Sequence, residues 1–125
     1  HVHQVSRRTG LPIHLKILDV PDAVPLDQAT CLFRVMQESI QNVVKHAQAA
    51  TVTVQLRGSL KGVGLSVIDN GRGFDSQDLR THQQGLGLSS MEERLRQLYG
   101  FFRIQSRPSH GTKVCAWVPC EMEVT

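Results

Sequence analysis

Glu38, Asn42 and His46 recur at intervals of four, with Lys45 beside them. On a helix such residues lie one above another, so a carboxylate, an amide, an imidazole and an ammonium would share one hydrophilic stripe. That set suits a magnesium ion and phosphates. Magnesium keeps several waters and takes few protein oxygens besides phosphate, and one amide oxygen from Asn42 can complete its octahedron. Asn is also a poor mid-helix residue, because its amide competes for backbone partners. A solvated helix face would carry the same residue types, so the stripe gains meaning only in the company of three further strings downstream.

The second string is Asp69-Asn70-Gly71-Arg72-Gly73-Phe74-Asp75. Asn-Gly is a hairpin-turn signal, but no strand pattern resumes after Phe74, so the turn launches a loop instead. Val67 and Ile68 read as the apolar end of a strand with the Asp69 carboxylate at its tip. That carboxylate can accept a hydrogen bond from an exocyclic amine, which would separate adenine from guanine. Gly71 and Gly73 let backbone come close to a flat ligand. The third string, Gly85-Leu86-Gly87-Leu88, opens a helix and could bring backbone N–H groups and a positive helix end to phosphate oxygens. It is neither a Walker A loop nor a dinucleotide fingerprint, lacking Gly-Lys-Ser/Thr and a preceding strand. The fourth is Gly111-Thr112, where a hydroxyl beside Asp69 could support it or hold a water; a turn glycine before a strand threonine is the plainer reading.

The elements that must position these residues emerge from periodicity. Apolar side chains at Leu32, Val35, Met36, Ile40, Val43 and Val44 put one face on a helix over residues 27–49. Alternation predicts a strand over 13–17, a hairpin of strands over 51–56 and 63–68, and a second hairpin over 101–105 and 113–118. Ser90 and Glu93 resemble a capping box for a second helix that ends at Gly100. Residues 1–9 read as the end of an incoming helix, and 75–84 as a polar loop suited to a mobile lid. The fold class expected is α+β, a two-layer sandwich with helices covering one face of a mixed or antiparallel sheet.

At 125 residues the chain is one domain, and 40% hydrophobic with 20% charged residues is a globular composition. A charge of +3 from scattered basic residues, without aromatics interleaved, argues against nucleic acid. Three cysteines without a C-x-x-C pair indicate neither zinc nor a disulfide framework. They fit a reducing, cytoplasmic setting. No apolar run reaches bilayer length and no signal-peptide plan is present, so direct membrane contact is not expected. The opening His1-Val2-His3 without Met reads as a fragment of something longer.

In their order and spacing, the strings QESIQNVVKHAQA, DNGRGFD, GLGLSSMEERLRQLYG and SRPSHGTKVCAWVP resemble the ATP-binding domain of sensor histidine kinases, nearest the nitrate/nitrite-sensor type. Those kinases belong to the gyrase, heat-shock chaperone, histidine kinase and MutL superfamily. The likeness covers roughly residues 10–119. It implies a Bergerat-type fold, a left-handed α/β sandwich with nucleotide between helices and sheet. It further implies that Asn42 ligates Mg²⁺ and that Glu38 polarises the attacking group or a metal-bound water. Lys45 and His46 would approach phosphates, and Asp69 would read the adenine amine. Gly71 and Gly73 would shape the base pocket, Gly85, Leu86 and Gly87 would border the triphosphate, and Thr112 would back up Asp69. The implied function is transfer of the γ-phosphoryl group of ATP to a histidine on a separate dimerisation domain, with a response regulator downstream. An anti-sigma-factor-like serine kinase and a nucleotide-binding module without transfer are the alternatives. Three departures stand out. The stretch between the glycine boxes is short, with no phenylalanine-rich box. Tyr99-Gly100 replaces the usual Gly-Gly, and no phospho-acceptor helix is present.

Overall fold

The computed structural model describes residues 12–47, 51–71 and 88–120. Its elements in chain order are β1 (Ile13–Leu18), α1 (Leu26–Asn42), a π-helical turn (Val43–Ala47), β2 (Val52–Gly58), β3 (Gly62–Asp69), α2 (Leu88–Gln97), β4 (Phe101–Ser106) and β5 (Thr112–Pro119). The strands form one sheet in the order β1-β2-β3-β5-β4. β1 pairs parallel with β2, and every other pairing is antiparallel. The sheet is therefore mixed, one of the two forms expected of the α+β sandwich.

Alternation sorts the strands into two faces. Val52 and Val54, Val63, Leu65 and Val67, and Val114, Ala116 and Val118 are all buried. Against them α1 sets Cys31, Leu32, Val35 and Ile40, the π turn sets Val43, and α2 sets Met91 and Leu95. The opposite face carries Gln55, Arg57, Ser66, Ile68, Arg103 and Lys113 at the intervening positions. Cys31, Cys115 and Cys120 are free thiols. No described helix is long and apolar enough to cross a membrane.

The β1-α1-β2 crossover fixes the direction of α1. β1 ends at Leu18, in register with Arg57, and begins at Ile13, in register with Val52. The chain thus leaves β1 beside Gly58 and re-enters the sheet at Val52, whose neighbour on β3 is Asp69. A helix of 17 residues spans about 25 Å, close to the length of β2. α1 must therefore run from the Gly58 edge to the Asp69 edge, carrying Glu38 and Asn42 to the strand tip that holds Asp69.

Two helix ends differ from expectation. The first helix changes to a π turn after Asn42 rather than continuing as α-helix to residue 49; residues 48–50 lie outside the described residues. Apolar spacing does not distinguish a turn closed by i→i+4 bonds from one closed by i→i+5 bonds, and such turns recur at functional sites. α2 begins at Leu88, so Ser90 stands in its first turn rather than at its cap. Its C-terminus closes as expected: Gly100 N–H donates to the Leu95 carbonyl at 2.8 Å and Tyr99 N–H to that of Arg96 at 3.1 Å. That pair of bonds is a Schellman motif.

Candidate functional site

Asp69 ends β3 on the face that carries Val63, Leu65 and Val67, so its carboxylate enters the layer between sheet and helices. It is 6% exposed. Gly71 N–H donates to its Oδ1 at 2.8 Å. Burial pushes the carboxyl above its ordinary range, while the backbone N–H groups of Gly71 and Thr112 pull it back. Desolvation wins because two neutral donors do not replace the hydration of a full charge. The result is a carboxylate fixed in direction and eager for a further donor, such as an amine.

The surrounding chain holds that carboxylate rigidly. Asn70 Oδ1 accepts from Thr51 N–H at 2.9 Å, tying the tip of β3 to the residue before β2. Gly111 has a φ of +78°, and a Cβ added to it would stand 2.1 Å from the Asp69 carbonyl oxygen. Both the left-handed backbone and the close approach require glycine. Thr112 lies directly across from Asp69 in the β3–β5 ladder. Its Oγ1 is 2.8 Å from Ser106 Oγ, which also donates to the Gly111 carbonyl at 3.1 Å. The support Thr112 gives to Asp69 thus comes through its backbone, while its hydroxyl is engaged with Ser106. Nothing in the local sequence marks Ser106; its signal is the register that places the last residue of β4 opposite Thr112.

Glu38 and Asn42 are half-buried near the end of α1, one helical turn apart, and Lys45 is exposed in the π turn that follows. Their backbone places them at the Asp69 end of the domain by the crossover described above. The backbone of His46 belongs to the same π turn, but its side chain lies outside the described residues, as do Gly73, Gly85, Leu86, Gly87, the loop 75–84 and residues 1–9. Among the described residues no three His, Cys, Asp or Glu side chains gather as a metal site. Glu38 and Asn42 place a carboxylate and an amide side by side on α1, a pair that suits magnesium shared with phosphate and water.

The family described as histidine kinase-, DNA gyrase B-, and HSP90-like ATPase matches residues 27–122. The chain is 30% identical over 123 residues to the signal transduction histidine-protein kinase/phosphatase DegS of Brevibacillus brevis, covering 98% of this chain and 31% of DegS. It is 37% identical over 110 residues to the signal transduction histidine-protein kinase/phosphatase UhpB of Salmonella typhimurium, covering 88% and 21%. With the nitrate/nitrite sensor protein NarX of Escherichia coli K12 it shares 33% over 111 residues, covering 89% and 18%. The chain thus spans less than a third of the length of each of these relatives. The histidine kinase domain of the Erythrobacter litoralis EL346 blue-light activated histidine kinase superposes with a TM-score of 0.71 at 22% identity, covering 94% of this chain and 60% of that one, a likeness of fold.

Proposed function

We propose, because the chain belongs to the histidine kinase-, DNA gyrase B-, and HSP90-like ATPase family, that it binds ATP with magnesium between helices and sheet and supplies the γ-phosphoryl group to a histidine. That histidine would stand on a dimerisation domain of the same parent protein, and a response regulator would receive the phosphoryl group next. The observation that carries the nucleotide reading is Asp69: a buried carboxylate at a strand tip, oriented by the Gly71 N–H and facing the helix layer.

The chemistry asked of this chain is positioning and charge neutralisation, since phosphoryl transfer needs little else from a protein. Asp69 accepts from the adenine amine and so sets the register of the base. Asn42 offers an amide oxygen to magnesium, which when bound draws charge from the phosphates. Lys45, exposed one turn further on, reaches phosphate oxygens. Glu38 stands one turn before Asn42, suited to polarise the attacking group or a water.

Calorimetric titration with ATP, ADP and GTP tests the base reading. A site built to accept from an amine meets a carbonyl on guanine, leaving two acceptors face to face. Tight ATP and ADP binding with GTP much weaker is the expected outcome, and equal affinity for GTP would remove Asp69 from base recognition.

A further inference from the structure

Ser39 is 2% exposed on the face of α1 that also buries Leu32, Val35 and Ile40. Its Oγ has no hydrogen-bond partner among the described residues. A helical serine commonly satisfies itself on the carbonyl four residues earlier, and a buried hydroxyl left unpaired is a burden that alanine would remove. Ser39 and Asp69 are the buried polar side chains among the described residues. They belong to the two surfaces that face each other across the helix–sheet seam.

The course of α1 brings them to the same level. Leu32 shares an apolar cavity with Val63 and Leu65. From Leu32 to Ser39 the helix advances about 10 Å, and from Leu65 to Asp69 the strand advances about 13 Å in the same direction. Ser39 also lies three residues before Asn42, which makes the two neighbours on the helix surface.

We propose that Ser39 is a base-recognising residue of the nucleotide site, its hydroxyl donating to an adenine ring nitrogen next to the amine that Asp69 accepts from. The inference rests on the ATP-binding reading above. Adenine presents its 6-amino donor flanked by two ring-nitrogen acceptors, N1 and N7. A carboxylate beside a hydroxyl donor is complementary to such a donor–acceptor pair, and a hydroxyl can reach the nitrogen directly or through one ordered water. This explains why a polar atom is kept without a protein partner in the seam between α1 and the sheet.

Titration of the wild-type chain and of Ser39→Ala with ATP, 1-deaza-ATP and 7-deaza-ATP, together with the melting temperature of each empty protein, tests the assignment. Ser39→Ala is expected to weaken ATP about three- to tenfold, the effect of one neutral hydrogen bond. It should leave unchanged the affinity for whichever analogue lacks the contacted nitrogen. The empty variant should melt no lower than wild type. Unaltered ATP affinity in Ser39→Ala overturns the proposal, as does equal weakening for ATP and both analogues, or a lower melting temperature, each of which marks a structural role. A wild-type chain that binds no ATP overturns the nucleotide reading itself, and the role of Ser39 with it.

Discussion

At the scale of single residues, Asp69 concentrates the opposing forces of the site. Its carboxyl is raised by burial and restrained by two backbone donors, so in the empty protein its ionised form is less favourable than in the unfolded chain. Asp69 therefore contributes stability below the ordinary Asp pKa and loses that contribution as pH rises through the raised folded value. Asp69→Asn keeps an oxygen for the Gly71 N–H and removes the buried charge, so the empty variant is expected to be more stable than wild type at neutral pH in denaturant titration. ATP binding should move the other way. A hydrogen bond to a charged acceptor contributes about 1.5–3 kcal/mol, so the variant should lose at least roughly tenfold in affinity. Wild-type affinity should fall on acidification through the raised pKa, and Asp69→Asn should lack that acid limb. Asn42 calls for a separate measurement. Because Mg²⁺ takes few protein oxygens, Asn42→Ala should abolish most of the difference between ATP affinity with magnesium and with EDTA, while leaving metal-free binding near the wild-type level. A metal dependence that survives the change would remove Asn42 as the ligand.

At the scale of elements, two turns put unusual backbone where the sheet meets its neighbours. Tyr99 closes α2 at φ 62°, the position where glycine is commonest, and its side chain is 87% exposed. The glycine stands one residue later because a Cβ on Gly100 would meet the Trp117 carbonyl oxygen at 2.1 Å. Tyr99→Gly should therefore stabilise the protein by about 1 kcal/mol, as relief of a left-handed residue does, read from the shift in denaturation midpoint. Gly111→Ala should destabilise by at least about 2 kcal/mol, since the left-handed cost adds to a clash with the Asp69 backbone. Both helices, both hairpins and the first strand were legible from period and turn chemistry, although the first strand leaves Leu15 and Ile17 exposed. The site was legible less evenly. Asp69 could be read as a strand-tip carboxylate, since Val67 and Ile68 precede it and the pattern stops. Gly111-Thr112 could be named as a candidate support, but the contacts of Asn70 with Thr51 and Ser106 with Thr112 could not, because they depend on strand register across the sheet, which local pattern does not carry. The π turn escaped for a different reason: apolar spacing does not distinguish i→i+4 closure from i→i+5.

At the scale of the whole molecule, the proposed reading puts the groups for a nucleotide at one end of the sandwich and the acceptor histidine on a separate domain. Among the described residues, His14 lies on edge strand β1, His110 in the β4–β5 turn, where its Nδ1 is 2.9 Å from the Pro108 carbonyl oxygen, and the backbone of His46 in the π turn. Neither His14 nor His110 stands on a helix that could present an imidazole to a γ-phosphate at the Glu38 end of α1. Tethering of an acceptor domain supplies the effective concentration that makes transfer fast, and orientation of the attacking nitrogen supplies much of the rest. The 125-residue chain alone is accordingly expected to bind nucleotide yet incorporate little or no label from γ-labelled ATP. Adding a dimeric histidine-bearing domain from its own parent should give label on that partner, slowly because the two are no longer joined, and Glu38→Gln should reduce the rate more than it reduces ATP affinity. Phosphohistidine is labile to acid and stable to base, so acid treatment of the labelled partner identifies the bond formed. Acid-stable label on a supplied protein serine would favour the serine-kinase alternative, and ATP binding without transfer to either acceptor would leave a nucleotide-binding module whose signal is conformational.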